Sequence, residues 1–100
     1  MVSISPGKAW PENPLFPLGK TVATRGVLTE VAHEAMYEAL ARHERGDWGE
    51  MPTGDKALNN RALEAGGRLV SKWSDPRGTK FYIITEADRS ITTVLLPEEY

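Results

Sequence analysis

The sequence predicts an α+β fold: two helices followed by a three- to four-stranded antiparallel sheet, with the long helix packed on one face. Three observations carry this. From Leu28 to Glu44, the residues Leu28, Val31, Ala32, Ala35, Met36, Ala39, Leu40 and His43 recur at the three–four spacing of one helical face. The last third of the chain holds three β-branched and aromatic runs, Arg68–Ser74, Lys80–Thr85 and Ile91–Leu96, split by short turn-forming stretches. The helical pattern precedes the strand pattern instead of alternating with it, which favours α+β over a parallel α/β sheet.

In chain order, residues 1–19 form a proline-rich N-terminal arm and residues 20–100 a single α+β domain. Pro6, Pro11, Pro14 and Pro17 forbid a helix in the arm and favour extended backbone. Trp10, Leu15, Phe16 and Leu18 lie among them, so the arm packs on its own domain or on a second subunit, and a homo-oligomer would form through it. Lys20–Arg25 reads as a short strand with Val22 inward, broken by Gly26. The long helix is capped near Thr29, with Glu30 at the positive end of its dipole, Arg42 and Arg45 at the negative end, and Gly46 as its stop. Glu38 and Arg42 stand four apart and support each other. After the glycine-rich loop 46–54 comes a second, weaker helix, Asp55–Ala65, closed by Gly66 and Gly67. Asn59 and Asn60 are poor interior helix residues and invite a side-chain explanation. Leu69, Ser71 and Trp73 share one side of their strand. Asp75, Pro76 and Gly78 mark a turn. The run Phe81, Tyr82, Ile83, Ile84 is apolar on both sides and predicts an interior strand covered on both faces.

Composition excludes several classes of function. With 100 residues, 40% apolar and 26% charged, this is an ordinary globular domain. A net charge of −2 disfavours binding driven by neutralising many phosphates. The chain has no cysteine, so neither a disulfide framework nor a thiolate metal site is available. Its two histidines, His33 and His43, are not in ligand spacing, and no phosphate-binding glycine loop or nucleophile elbow occurs. No metal, no cofactor, no membrane association and a cytoplasmic location are expected.

Four constellations could carry chemistry. His43, at the end of the long helix, is either a core-edge histidine or a general acid–base group oriented by Asp47. Trp48, between Gly46 and Gly49, is either a core residue or a stacking platform for a partner. Asp55 and Asn59 lie one turn apart and either serve the helix or face the same pocket as His43. The most heavily charged turn is Glu86, Asp88, Arg89 and Ser90, followed by Thr92 and Thr93. There Arg89 either pairs with Glu86 or Asp88, or acts as an anion clamp assisted by a threonine. Thr92 and Thr93 point to opposite faces, so only one of them can share a site.

Together, LGKTVATRG, ARHERGDWGE with Asp55 and Asn59, and GTKFYIITEADRSITTVLLPEEY resemble a family of small bacterial proteins of plasmids and genomic islands. Members are often labelled "plasmid-related" or as the M subunit of type I restriction systems. The likeness runs from Leu18 onward, and the ITEADRS block is its most specific part. These 100 residues cannot hold a methyltransferase domain and carry no glycine motif for its cofactor, so the resemblance implies a genomic setting, not that activity. Two functions are expected to compete. One is a non-enzymatic binding or accessory protein that holds a protein partner through Trp48, Asp55, Asn59 and the residues Glu86, Asp88, Arg89 and Ser90. The other is a metal-independent ribonuclease of barnase-like or toxin-like type, using His43, Asp47, Arg89 and Thr93. A DNA-binding regulator ranks last, because no recognition helix is evident.

Overall fold

A computed structural model describes residues 1–5 and 14–100. Trp10, Pro6 and Pro11 of the arm lie outside the described residues. The described elements are β1 (Val2–Ser3), β2 (Lys20–Ala23), α1 (Arg25–Glu30), α2 (His33–Glu44), α3 (Thr53–Ala65), β3 (Leu69–Ser74), β4 (Lys80–Thr85) and β5 (Ile91–Leu95), then a short 3-10 turn, Pro97–Glu99. None of these helices is long and apolar enough to cross a membrane.

The fold is α+β, and β3, β4 and β5 form the expected antiparallel meander. The sheet extends further, to five strands in the order β1-β2-β5-β4-β3. β2 joins β5 in parallel, Thr21 opposite Thr92 and Ala23 opposite Val94, and β1 pairs antiparallel with β2. A parallel neighbour needs a long crossover, which the helices and the meander between β2 and β5 supply. Gly19 lets β2 start there. Its φ is +67°, and a Cβ would run into the backbone of Arg89 and Ser90, while the next residue's N–H donates to the Ser90 carbonyl at 3.0 Å.

The expected helix over Leu28–Glu44 is two helices meeting at an angle. Strand β2 turns directly into α1, where Thr24, not Thr29, is the N-cap and accepts the Val27 N–H at 3.1 Å. Gly26 therefore lies inside α1 instead of ending a strand. The break falls at Val31, which is extended (φ −105°, ψ 136°). Asp75 Oδ2 then takes the Ala32 N–H at 3.1 Å, and His33 Nε2 bonds the Leu28 carbonyl at 2.8 Å. The apolar stripe continues across this break because Val31 turns into the core instead of following the helix axis.

One face of the sheet meets the helices. Val27, Val31, Met36 and Leu40 pack on Leu69, Trp73, Phe81, Ile83 and Val94, and Phe16 and Leu18 of the arm join the same core. Register puts Thr21 and Ala23 on this face, so Val22 lies on the opposite one, contrary to the expectation from its apolar side chain. β4 is interior, as its sequence predicts. Its second face, however, has no helix over it among the described residues. Ile84 and Tyr82 there are shielded by same-face neighbours, among them Tyr100, whose ring lies 5.5 Å from Tyr82.

The outer edge of the sheet at β3 is closed by other means. Asn59 donates Nδ2–H to the Val70 carbonyl (2.8 Å) and accepts the Val70 N–H (3.1 Å), as a neighbouring strand would. The loop after α2 adds an isolated bridge, in which Glu50 N–H donates to the Lys72 carbonyl at 2.8 Å. Gly49 (φ +63°) is the hinge of that approach, because a Cβ there would press into the Lys72 carbonyl and the Trp73 ring. An edge strand closed in this way is not a template for pairing with another chain.

Candidate functional site

His43 comes from the last turn of α2, on its apolar stripe, and is completely buried. Phe16 and Trp48 enclose the imidazole edge-on, each with its ring centroid 5.4 Å away. Its polar neighbours come from the sheet. Ser71 Oγ lies 2.6 Å from Nδ1 and Thr85 Oγ1 lies 3.0 Å from Nε2. Thr85 and Thr92 touch through their hydroxyls at 2.8 Å, and Thr92 Oγ1 donates to the Leu18 carbonyl at 2.7 Å. At the other end, Trp73 Nε1–H donates to Ser71 Oγ at 2.6 Å.

The donor inventory orders every proton in this line. The Leu18 carbonyl only accepts, so Thr92 has spent its one proton there and must accept from Thr85. Thr85 has then spent its own and must accept from His43 Nε2–H. Nδ1 is therefore the bare nitrogen and accepts the Ser71 hydroxyl proton, while Ser71 accepts the Trp73 indole N–H. All five bonds point the same way, from Trp73 to Leu18, through a neutral histidine. A proton on Nδ1 would turn an acceptor into a donor and leave the Ser71 hydroxyl proton without its partner. Burial, and then the nearby Arg89 charge, lower the His43 pKa from 6.5 to about 3, in keeping with this neutral form.

Asp47 does not orient His43. Its Oδ2 accepts from Arg42 Nε at 2.9 Å and its Oδ1 from the Gly49 N–H at 2.9 Å. Partial burial pushes its carboxyl up, but the Gly49 N–H and Arg42 outweigh this and hold it below the usual range. Arg42 also lies over the Trp73 ring, 5.1 Å from its centroid. Trp48 is buried rather than offered to a partner, and donates its indole N–H to Asn60 Oδ1 at 2.9 Å. Asn59 serves the β3 edge. Asp55 sits in the first turn of α3, where a carboxylate suits the helix dipole, and shares no pocket with His43.

Arg89 pairs with neither Glu86 nor Asp88 through its charge. Its guanidinium donates to four backbone carbonyls: Ala62 at 2.9 Å, Glu86 at 3.1 Å, Ala87 at 3.2 Å and Gly67. It thus ties the β4–β5 loop to the C-terminal end of α3, and it lies 5.7 Å from the Phe16 ring centroid. Arg89 has φ +61°, the only non-glycine residue among those described with a positive φ. Glu86 bonds Arg68 at 3.2 Å instead, and Asp88 accepts the Ser90 N–H (3.0 Å) and hydroxyl (2.6 Å). Those Ser90 bonds hold the Asp88 carboxyl below the usual range.

His43 and Arg89 therefore flank the same Phe16 ring but share no open cleft. A groove of about 250 Å³ between α2 and the β3–β4 turn is lined by Glu38, Arg42, Trp73, Asp75 and Phe81, and includes neither of them. Thr93 lies on the opposite face of the sheet from His43, and Thr92 is the one on its face, linked to it through Thr85. Thr85 and Thr92 are the members of the line that sequence reasoning did not assemble. The available signal was a hydroxyl at an inward strand position, as at Ser71 between Leu69 and Trp73. Among the described residues, no group of three His, Cys, Asp or Glu side chains is placed to hold a metal. Compared with protein-family models, with curated proteins and with solved structures, the chain finds no match.

Proposed function

We propose that this chain is a small non-enzymatic binding protein, an accessory of a mobile genetic element that acts through a protein partner. One observation carries the reading: the groups a metal-free nuclease would need are already committed to the fold's own bonds. General acid–base catalysis needs a group that can reach the proton it moves. His43 is sealed between Phe16, Trp48 and two hydroxyls. An oxyanion clamp needs donors aimed at empty space, whereas Arg89 aims its donors at four carbonyls. The mobile-element setting rests on the resemblance of the ITEADRS block.

The test is covalent capture of partners in the host cell, followed by reconstitution of the purified pair, alongside an RNA-integrity assay. The expected result is a complex of defined stoichiometry and intact RNA. RNA cleavage by the purified protein, lost in a folded Arg89→Lys variant, would overturn the proposal in favour of the ribonuclease.

A further inference from the structure

The two edges of the sheet are treated differently. At β3 the backbone is closed by the Asn59 amide and by the loop at Gly49 and Glu50. At β1 nothing among the described residues performs that task. β1 ends the strand order and pairs on one side only, with Val2 opposite Ala23 and Ser3 opposite Val22. The Ile4 N–H continues this pairing by donating to the Thr21 carbonyl at 2.9 Å. Backbone groups alternate in direction along an antiparallel strand. Val2 and Ile4 therefore turn theirs toward β2. Ser3 turns its N–H and carbonyl outward, where neither has a partner among the described residues. The side chains leave this edge open as well: Met1 is 79% and Val2 39% exposed, and Ser3 and Ser5 are exposed. Charged side chains and prolines are the usual defences of an edge. Residues 1–5, MVSIS, contain neither.

We propose that this edge pairs with the same edge of a second copy, joining the two sheets into one across a two-fold axis at Ser3. The occupant follows from the chemistry of the edge. Free peptide groups in a row recognise the backbone of an extended strand, and MVSIS is self-complementary when antiparallel. Centred on Ser3, the two Ser3 residues exchange both of their N–H···O bonds, and each Ser5 N–H meets the Met1 carbonyl of the other copy. Val2 of one copy then stands opposite Ile4 of the other on the helix side of the sheet, as an apolar cross-strand pair. The Ser3 hydroxyls meet on the other side, and no like-charged side chains are brought together. A pairing of this kind is isologous, as a closed dimer requires. A strand this short makes a weak, concentration-dependent contact. The dimer holds or fails independently of the partner reading above.

The experiment is sedimentation velocity of the full chain from about 10 µM to about 1 mM, with NMR amide exchange measured at both ends of the series. The expected result is a monomer–dimer equilibrium in which exchange at Ser3 slows roughly twofold or more at the high concentration while Ile83 is unchanged. Ser3→Pro removes only an outward N–H and leaves the bonds between β1 and β2 in place, and Ser3→Lys sets two like charges opposite each other. Each should abolish the dimer while keeping an unfolding midpoint close to that of the wild type. Leu58→Ser, at the exposed leucine of α3, should leave the dimer intact. A chain that stays monomeric at the highest concentration, a dimer that survives both Ser3 variants, or a dimer lost in Leu58→Ser would each overturn the proposal. Protection of Ser3 that appears only when a different protein is bound would assign the edge to that protein and overturn the second copy.

Discussion

The line from Trp73 to Leu18 and the hairpin loop at 86–90 are built from similar polar groups, and burial treats them in opposite ways. In the core each hydroxyl has two partners and one proton, and the line ends on a carbonyl that can only accept, so the proton order is unique and the histidine is held neutral. At the loop, Asp88 and Ser90 satisfy each other in solvent. Only Arg89, which reaches under the loop to the end of α3, is committed to the fold. A titratable residue near other polar residues in sequence is therefore no guide to chemistry, because the cost of leaving a group unpaired depends on whether water can replace the partner.

The contrast can be broken from the buried side first. His43→Ala opens a cavity among Phe16, Trp48 and the sheet and strands the Ser71 and Thr85 hydroxyls. It should cost about 3–5 kcal/mol in urea denaturation. A loss under about 1 kcal/mol would mean that water enters the site. The second test is pH. The folded His43 pKa, about 3, lies below its ordinary 6.5, so between those values the unfolded chain binds the extra proton. The stabilisation is complete above pH 6.5 and is lost as pH falls toward 3. The slope should approach about 1.4 kcal/mol per pH unit, a few kcal/mol over the window. The difference between wild type and His43→Phe isolates this slope, and parallel curves for the two would refute the neutral-histidine line.

On the loop side, Arg89→Ala removes the ties to the Ala62 and Gly67 carbonyls and leaves alanine at φ +61°. It should cost about 2–3 kcal/mol by thermal or urea unfolding. Asp88→Ala, which removes only bonds exposed to solvent, should change the midpoint far less, and equal losses would erase the distinction between anchored and solvated loop residues. A loss smaller than that of Arg89→Ala is expected at the sheet edge. Asn59→Ala exposes the Val70 N–H and carbonyl and should cost about 1–2 kcal/mol. It should also speed amide exchange at Val70 while leaving exchange at Ile83 unchanged.

Much of the fold was legible. The α2 and α3 segments, the three strands of the meander and the inward set Leu69, Ser71 and Trp73 follow from spacing and turn residues alone. The break at Val31 was not legible, because it depends on Asp75 arriving from a turn 43 residues away to take the Ala32 N–H. Nor was the pairing of β2 with β5, since register between distant strands has no local sign. His43 and Arg89 could be picked out by residue type, but Asp47 was assigned to the wrong neighbour. An aspartate four residues past a helix-end histidine is equally well placed for Arg42, which bonds its Oδ2 while its Oδ1 takes the Gly49 N–H. Thr93 was chosen over Thr92, although only the register decides which threonine faces the helices.

By itself the sequence determined the local choices: where helices and strands form, where glycine must bend the chain, and which side chains are too polar to bury alone. Hydrophobic periodicity and backbone sterics act within a few residues, so they can be read in one dimension. Tertiary structure alone decided what those polar side chains do. It sealed His43 in a one-way line and turned Arg89 into a tie for α3. The physical reason is that partner choice and desolvation depend on which distant segments come together, and no short stretch of the chain contains that information.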